Sequence, residues 1–564
     1  MALHNLQRRW LHRSASPPTR ALARVLLALL AGGAHAASLA WPFSSPANFI
    51  AALGVLPGQP VWWLELLALS LLAWLLTDGR THSKDAGGGP AWQRAALWAW
   101  LFASAWLTCT FWWLFVAMHT YGGLPGLLAA LAVLALAGLL ALYYGAAAAL
   151  YARMAPGNRA GAALVFAALW LLAELARGTW LSGFGWGAGG YAQVTGPLAG
   201  YAPWIGVYGL CALTAWLAMT LAQTLRWQSA AGAPRGGRAQ LGHLTAVVLV
   251  LLLPLLLIRA PADATQSTGH LSVTLLQGNI PQDEKFEAGS GVALALPWYG
   301  EQLKASQTSL VIAPETAIAV LPAQLPPAYW PDLQQGFATG QRAALIGIPL
   351  GNDQDGYTNS VLGLKPAQGQ PWRYDKHHLV PFGEFIPPLF KWFTAMMHIP
   401  LGDFNRGPLR QPPFDWQGQK LATNICYEDL FSEELGQQFY DPALAPTVFV
   451  NVSNLAWFGD SLAQAQHLQI ARLRALEFAR PFVLVTNTGT SAIVDHRGRV
   501  VASLPRDTRA VLVGEVEGRS GLTPYAWWLA RFGLWPLWLL ALALVGLGAG
   551  RRWRRNQPAV LEHP

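Results

Sequence analysis

Leu421-Ala422-Thr423-Asn424-Ile425-Cys426-Tyr427-Glu428-Asp429 reads as a short buried strand that ends in a cysteine and breaks at once into a polar turn. A strand end is a rigid mount for a reactive group. The chain has three cysteines, and Cys109 and Cys211 lie inside long apolar runs. Cys426 therefore has no evident disulfide partner. A lone cysteine is often just a small buried hydrophobe. The Tyr-Glu-Asp that follows it, and two segments upstream, favour the reactive reading instead.

The first of these segments is Leu310-Val311-Ile312-Ala313-Pro314-Glu315-Thr316, a buried strand running into a glutamate. The second is Tyr374-Asp375-Lys376-His377-His378-Leu379-Val380-Pro381-Phe382-Gly383-Glu384-Phe385. Together the three segments supply a base, a cation and a nucleophile. A thiol of ordinary pKa is only slightly ionised at neutral pH. A lysine nearby favours the thiolate, and a glutamate can take the proton. The lysine can also stabilise the oxyanion formed at a carbonyl, together with the Tyr427 N–H. Taken singly, Glu315 also fits a solvated turn and Lys376 an ordinary surface lysine. His377 and His378 are adjacent and point apart, which argues against a shared metal.

Outside this region the composition changes. The chain of 564 residues is 53% hydrophobic and 12% charged, with 28 tryptophans. Soluble domains carry roughly twice that charged fraction. The apolar residues fill the first 260 residues and the last 40. A helix needs about 20 apolar residues to cross a bilayer. Eight runs approach that length, near 21–40, 60–77, 92–118, 124–152, 162–177, 204–225, 241–259 and 532–549. The first also has the order of a signal peptide, basic then apolar then small; the topology requires it as an uncleaved span.

The net charge of +9 resides largely in short loops beside these runs. That is a pattern of membrane topology, not of a nucleic-acid-binding face. Basic and uncharged loops alternate along the chain, from Arg8 and Arg9 at the start to Arg551, Arg552, Arg554 and Arg555 at the end. Positive charge marks the cytoplasmic side. The expected organisation is a cytoplasmic tail at 1–20, a seven-helix membrane domain at 21–260, an outer-face domain at 261–525, a last span at 526–550 and a basic cytoplasmic tail at 551–564.

Within the outer domain short β-rich runs alternate with helical ones. Strands are expected at 271–276, 310–313, 344–348, 360–364, 421–425, 448–450, 483–485 and 492–494, and helices at 291–308, 331–343 and 462–479. Several strands are apolar throughout, which argues for a layered α/β fold buried on both faces. Inside the spans, Glu174 and Arg177 stand three apart, either as a functional pair or as a local ion pair near the interface. Segment 178–203 is rich in Gly, Trp and Tyr, fitting a lipid entry site or an aromatic belt. Segment 385–404 holds Phe385, Phe390, Trp392, Phe393, Met396 and Met397. It reads as a mobile arm that meets lipid, or as a buried helix.

The Glu315, Lys376 and Cys426 segments resemble the motifs of the nitrilase, or carbon–nitrogen hydrolase, superfamily. The whole chain resembles the bacterial apolipoprotein N-acyltransferase family. The most specific matches are Gln277-Gly278-Asn279-Ile280-Pro281-Gln282, the run from Lys376 to Glu384, Asn424 to Asp429, Val452-Ser453-Asn454 and Ala456-Trp457-Phe458-Gly459-Asp460-Ser461. The resemblance implies an αββα nitrilase-like sandwich on a polytopic α-helical bundle of about eight spans. It implies Glu315 as general base, Lys376 as oxyanion-stabilising cation and Cys426 as the acylated nucleophile. Glu384, Tyr427, Glu428, Asn359, Phe286, Trp457 and Phe458 would support the site or bind substrate. Phe286 stands where the family has tryptophan, and Leu455 where it tends to have aspartate.

The implied partners are a membrane phospholipid as acyl donor (phosphatidylethanolamine above all), a diacylated apolipoprotein as acceptor, and the membrane itself. No nucleic acid, metal or diffusible cofactor is implied. The implied setting is a bacterial inner membrane with the catalytic domain on its periplasmic face. Two other classes fit parts of the sequence. A membrane-anchored amidase would need only one span, and a transporter or binding protein would not need the triad.

Overall fold

The computed structural model describes residues 17–44, 51, 54–81, 91–229, 237–257, 265–367, 369–387 and 404–556. Most of the aromatic arm at 385–404, including Phe390, Trp392, Phe393, Met396 and Met397, lies outside the described residues.

Eight long helices coincide with the eight apolar runs. They are α1 (Pro17–Leu39), α2 (Trp62–Thr81), α3 (Ala91–Phe111), α4 (Gly126–Met154), α5 (Arg159–Thr179), α6 (Ala202–Ser229), α7 (Gly237–Leu257) and, near the C-terminus, α12 (Trp535–Asn556). Four described stretches, from α1, α4, α5 and α6, are long and apolar enough to cross a membrane alone. The number is six if each of two bent pairs forms one span. The expected count of eight is thus met in helices but not in apolar length. The apolar parts of α2 and α7, Trp62–Thr77 and Thr245–Pro254, fall short. A short helix (α11, Pro524–Phe532) meets α12 at 90°. Its Trp527 and Phe532 and the following Trp535 are exposed, as suits rings at a membrane–water boundary.

The middle of the chain forms two six-stranded sheets. Strands β1 (Thr265–Gln277), β2 (Leu310–Ile312), β3 (Ala343–Asn352), β4 (Gly356–Leu364), β5 (Trp372–Asp375) and β12 (Ala510–Gly521) make the first, in the order β12-β1-β2-β3-β4-β5. Strands β6 (Phe414–Trp416), β7 (Gln419–Ile425), β8 (Val448–Ser453), β9 (Phe482–Thr486), β10 (Ala492–Val494) and β11 (Val500–Ser503) make the second, in the order β11-β10-β9-β8-β7-β6. In each sheet three central strands are parallel: β1, β2 and β3 in one, β7, β8 and β9 in the other.

The apolar strands explain the layering. One core holds Leu275, Ile312 and Leu345 of the first sheet against Ile425, Val450 and Val485 of the second. The opposite face of the first sheet packs Val311 and Ile346 on α8 (Gly291–Ala305) and α9 (Tyr329–Ala338). The opposite face of the second packs Ala422, Phe449 and Leu484 on α10 (Leu462–Phe478). This gives four layers, αββα.

The third cluster does not stop at α10. It continues into α2, α3, α5, α6 and α11. The catalytic domain and the helix bundle therefore share one hydrophobic core. Polar contacts pin the seam. Glu477 of α10, fully buried, accepts the Val207 N–H at 2.7 Å where α6 is broken at Gly206. Arg474 pairs with Glu477 and donates to the Tyr191 hydroxyl at 3.0 Å.

Candidate active site

The two sheets bring their parallel strand ends together, and functional groups in such sheets collect at the carboxyl ends of the strands. Glu315 lies just beyond β2 and Cys426 just beyond β7. Lys376 follows β5 and is tied to β4 by its own N–H, which donates to the Asn359 carbonyl at 2.9 Å. Three segments far apart in sequence thus meet at one place.

Lys376 is 1% exposed and bridges two carboxylates. Its Nζ lies 2.9 Å from Glu384 Oε1 and 3.3 Å from Glu315 Oε1. Asn359 Nδ2 donates to the same two oxygens at 2.7 Å each. The other Glu315 oxygen accepts the Asn454 N–H, from the end of β8, at 2.8 Å. Glu315 is therefore gripped from both sheets. Asn454 is itself held by Gln282 at 2.8 Å and by Asn487 at 3.1 Å. The Gln277–Gln282 stretch thus supports Glu315 through a chain of buried amides.

Cys426 is partly exposed and takes a left-handed backbone with φ of 52°. That conformation is unfavourable for a residue with a Cβ and needs outside support. Asn451 Nδ2 donates to the Cys426 carbonyl at 3.0 Å. Glu428, two residues on, accepts the Ile425 N–H at 2.6 Å, the His377 N–H at 2.7 Å, the His378 N–H at 3.1 Å and the Tyr374 hydroxyl at 2.9 Å. One carboxylate thus fastens the turn bearing Cys426 to the segment bearing Lys376. Burial lifts its pKa to about 7 against the pull of those backbone donors. Glu428→Gln replaces one acceptor oxygen by an N–H facing N–H donors. An unsatisfied buried donor costs about 1–3 kcal/mol, so Cys426 acylation is expected to slow by roughly 10–100-fold. Single-turnover acylation of the folded variant measures this.

The electrostatics refine the sequence expectation. Burial and the Glu315 carboxylate push the Cys426 thiol well above its ordinary range, and Lys376 pulls it only part of the way back. The resting group is a thiol. Burial opposes the charge of Lys376, but Glu315 and Glu384 overcome it and keep its ammonium protonated. Ionisation of Cys426 would therefore need a base close by. The carboxylate of Glu315 shares the field of both groups.

The remaining sequence candidates fall elsewhere. Tyr427 points away from the sheets into the bundle, donating to the Gly183 carbonyl at 3.0 Å and lying near Phe184. Phe458 packs on Trp113, with ring centroids 4.3 Å apart, and Trp457 meets Tyr121 edge-on. These rings form the seam between domain and bundle. Phe286 is half-buried. Leu455 is buried, consistent with its apolar character. His377 Nδ1 donates to the Gly407 carbonyl, and His378 sits between Glu434 and the Ser182 carbonyl. Each histidine is thus engaged separately.

Glu174 and Arg177 are both fully buried and 2.9 Å apart. Arg177 also donates to the carbonyls of Phe184 and Trp186 and to the Tyr144 hydroxyl. Most of segment 178–203 is buried, so it is not a belt of rings facing lipid. Instead it lies between the bundle and the Cys426 turn. Gly183 is required there: its φ is 74°, and a Cβ would lie 2.1 Å from the Gly178 carbonyl oxygen. The segment's exposed residues are Trp180 and Leu181 near its start, with Leu181 at 96%, and Thr195. The sequence reading passed over Glu65, fully buried in α2 and hydrogen-bonded to Gln193 at 2.5 Å. A single carboxylate in an apolar run was the available signal.

A thiol, a carboxylate and an ammonium at the strand ends of a four-layer sandwich define an enzyme of the carbon–nitrogen hydrolase class, here merged with a membrane bundle. Comparison with known proteins agrees. Residues 272–525 match the carbon–nitrogen hydrolase family, and residues 47–220 match the N-terminal domain of apolipoprotein N-acyltransferase. The apolipoprotein N-acyltransferase of Verminephrobacter eiseniae is 54% identical over 527 residues, covering 90% of this chain and 92% of the relative. That of Ralstonia nicotianae is 42% identical over 498 residues, covering 88% and 90%. A carbon–nitrogen hydrolase structure from Helicobacter pylori aligns with 48% of this chain and 94% of its own, at 17% identity and a TM-score of 0.32. The chain belongs to the apolipoprotein N-acyltransferase family, and is an acyltransferase of the carbon–nitrogen hydrolase superfamily.

Proposed function

We propose that this enzyme moves a fatty acyl chain from a membrane phospholipid to the N-terminal α-amine of the diacylglyceryl-cysteine of an apolipoprotein. The observation that carries this reading is the shared core. The Cys426 turn adjoins the apolar bundle through Tyr427 and the core they share, which suits lipid substrates.

Cys426 Sγ attacks the ester carbonyl while its proton passes to Glu315. Lys376 and the Tyr427 N–H, at the start of a short 3-10 turn, face the developing oxyanion. The ester C–O bond breaks, Glu315 protonates the departing oxygen and a lysophospholipid leaves. The neutral amine then attacks the thioester. The C–N bond forms, the S–C bond breaks, and Glu315 carries the amine proton to the sulfur. Phosphatidylethanolamine is the proposed donor, as the family resemblance implies. The basic loops support an inner-membrane setting with this domain on the periplasmic side.

Acyl-loaded protein mixed with a diacylated lipopeptide tests the reading. Transfer should leave the peptide heavier by one acyl group in a hydroxylamine-resistant amide. Release of free fatty acid with unchanged peptide would make the protein a hydrolase.

A further inference from the structure

Lys285 has no task in this scheme, yet it is only 2% exposed. It lies three residues after Gln282 in a stretch where Asp283 and Glu284 face solvent. Its ammonium donates to the main-chain carbonyl of Glu315 at 3.1 Å. That carbonyl belongs to a tight turn. The next residue, Thr316, has a φ of 46°, and Gly347 presses so closely that a Cβ there would lie 2.2 Å from the Pro314 oxygen. Lys285 therefore braces the backbone of the catalytic base where that backbone is strained.

A buried ammonium that faces a neutral carbonyl is poorly compensated by that contact alone. The balancing charge lies beside it. Glu315 and Glu384 share the ammonium of Lys376, so their charges are only partly offset there. Lys285 adds a second cation beside Glu315. Burial brings its pKa down to about 8, while Glu315 and Cys426 both pull it back up. The charged groups around it are thus Glu315 and Cys426 directly, with Lys376 and Glu384 behind Glu315.

We infer that Lys285 is a positioning residue for the acyl-transfer reaction, fixing the Glu315 turn and neutralising the buried carboxylate pair so that Glu315 can receive the Cys426 proton. It acts through Glu315 and does not touch substrate. The inference rests on the acyl-transfer reading for its catalytic consequence, though not for its electrostatic one.

Lys285→Met should slow thioester formation from phosphatidylethanolamine by about 10–100-fold. Loss of the Lys285 proton predicts a fall in the wild-type rate above about pH 8. In Lys285→Met that alkaline limb should vanish, and in Lys285→Arg, which keeps charge and donor, the rate should persist and the limb move upward. The lipid-free readout is alkylation of Cys426 by iodoacetamide against pH, followed on the Cys426 peptide. Below about pH 8, where Lys285 is charged, its removal should leave less thiolate, so Lys285→Met should be alkylated about 10-fold more slowly than wild type there, with the two rates converging at higher pH as Lys285 loses its proton. Identical alkylation profiles in wild type and Lys285→Met overturn the inference. If the Met variant does not fold, an Arg variant whose alkaline limb stays near pH 8 overturns it equally. A wild type that forms no thioester would remove the acyl-transfer reading, leaving the alkylation profiles to decide the role of Lys285.

Discussion

Lys376→Met is expected to slow Cys426 acylation by about 10²–10³-fold, the usual effect of removing one preorganised oxyanion donor. It is also expected to lower stability by about 3–5 kcal/mol, because a broken buried ion pair leaves unpaired charge behind. Two carboxylates are affected, since Glu315 and Glu384 both direct Oε1 at the same ammonium. Asn359 would remain between them with a single amide group. Two effects are therefore mixed in one substitution, and a cycle separates them. Adding Glu384→Gln to Lys376→Met removes one of the stranded charges. Thermal unfolding should recover in part, while the acylation rate stays low. A double variant that regains both stability and rate would show that Lys376 serves folding alone. Lys376→Arg should rescue neither, because contacts of 2.9 and 3.3 Å to two carboxylates fit a compact ammonium and not a planar fork.

Arg177→Leu is the second large effect, and it acts at a distance from the sulfur. The substitution strands Glu174, fully buried, with the Tyr144 hydroxyl as its remaining hydrogen-bond donor among the contacts described. The expected loss is again about 3–5 kcal/mol. Arg177 also holds the carbonyls of Phe184 and Trp186, and the neighbouring Gly183 carbonyl receives the Tyr427 hydroxyl beside Cys426. Loosening this segment should therefore slow acylation as well. Glu174→Gln combined with Arg177→Leu should restore much of the thermal stability in detergent without restoring the segment's anchors, so the rate should remain depressed. Equal recovery of both would mean that the pair only stabilises the bundle.

Two of the three candidate site residues were legible in the sequence for a physical reason. Glu315 and Cys426 each close a run of residues buried on both sheet faces, and such runs read as strands without any partner being known. The helix bundle was legible for the same reason at larger scale. The polar edges of the sandwich were not. Strand β12 reads Ala-Val-Leu-Val-Gly-Glu-Val-Glu-Gly-Arg-Ser-Gly, with glycines and charges that mimic a loop. Its long pairing with β1 decides the matter, and that pairing joins residues about 250 apart. Strands β5 and β6 were too short to show a period.

Buried charge was the harder failure. Lysine and glutamate are seldom fully buried, so Lys285 in a run of polar residues looked like surface. Helix α10 hides His467, Arg474 and Glu477 because it is covered by the sheet on one side and by the bundle on the other. No amphipathic pattern can announce a helix with two buried faces. The supporting residues Asn359, Glu384 and Glu428 rested on family resemblance, and the geometry now gives each a partner and a distance.

The central claim is that Cys426 carries the acyl group, and intact-mass measurement tests it most directly. The purified protein would be mixed with phosphatidylethanolamine beside Cys426→Ala. The account predicts a gain of one acyl group in the wild type, labile to hydroxylamine and absent from the variant. A folded wild-type protein that gains no mass, or a Cys426→Ala variant that gains the same adduct, would contradict it.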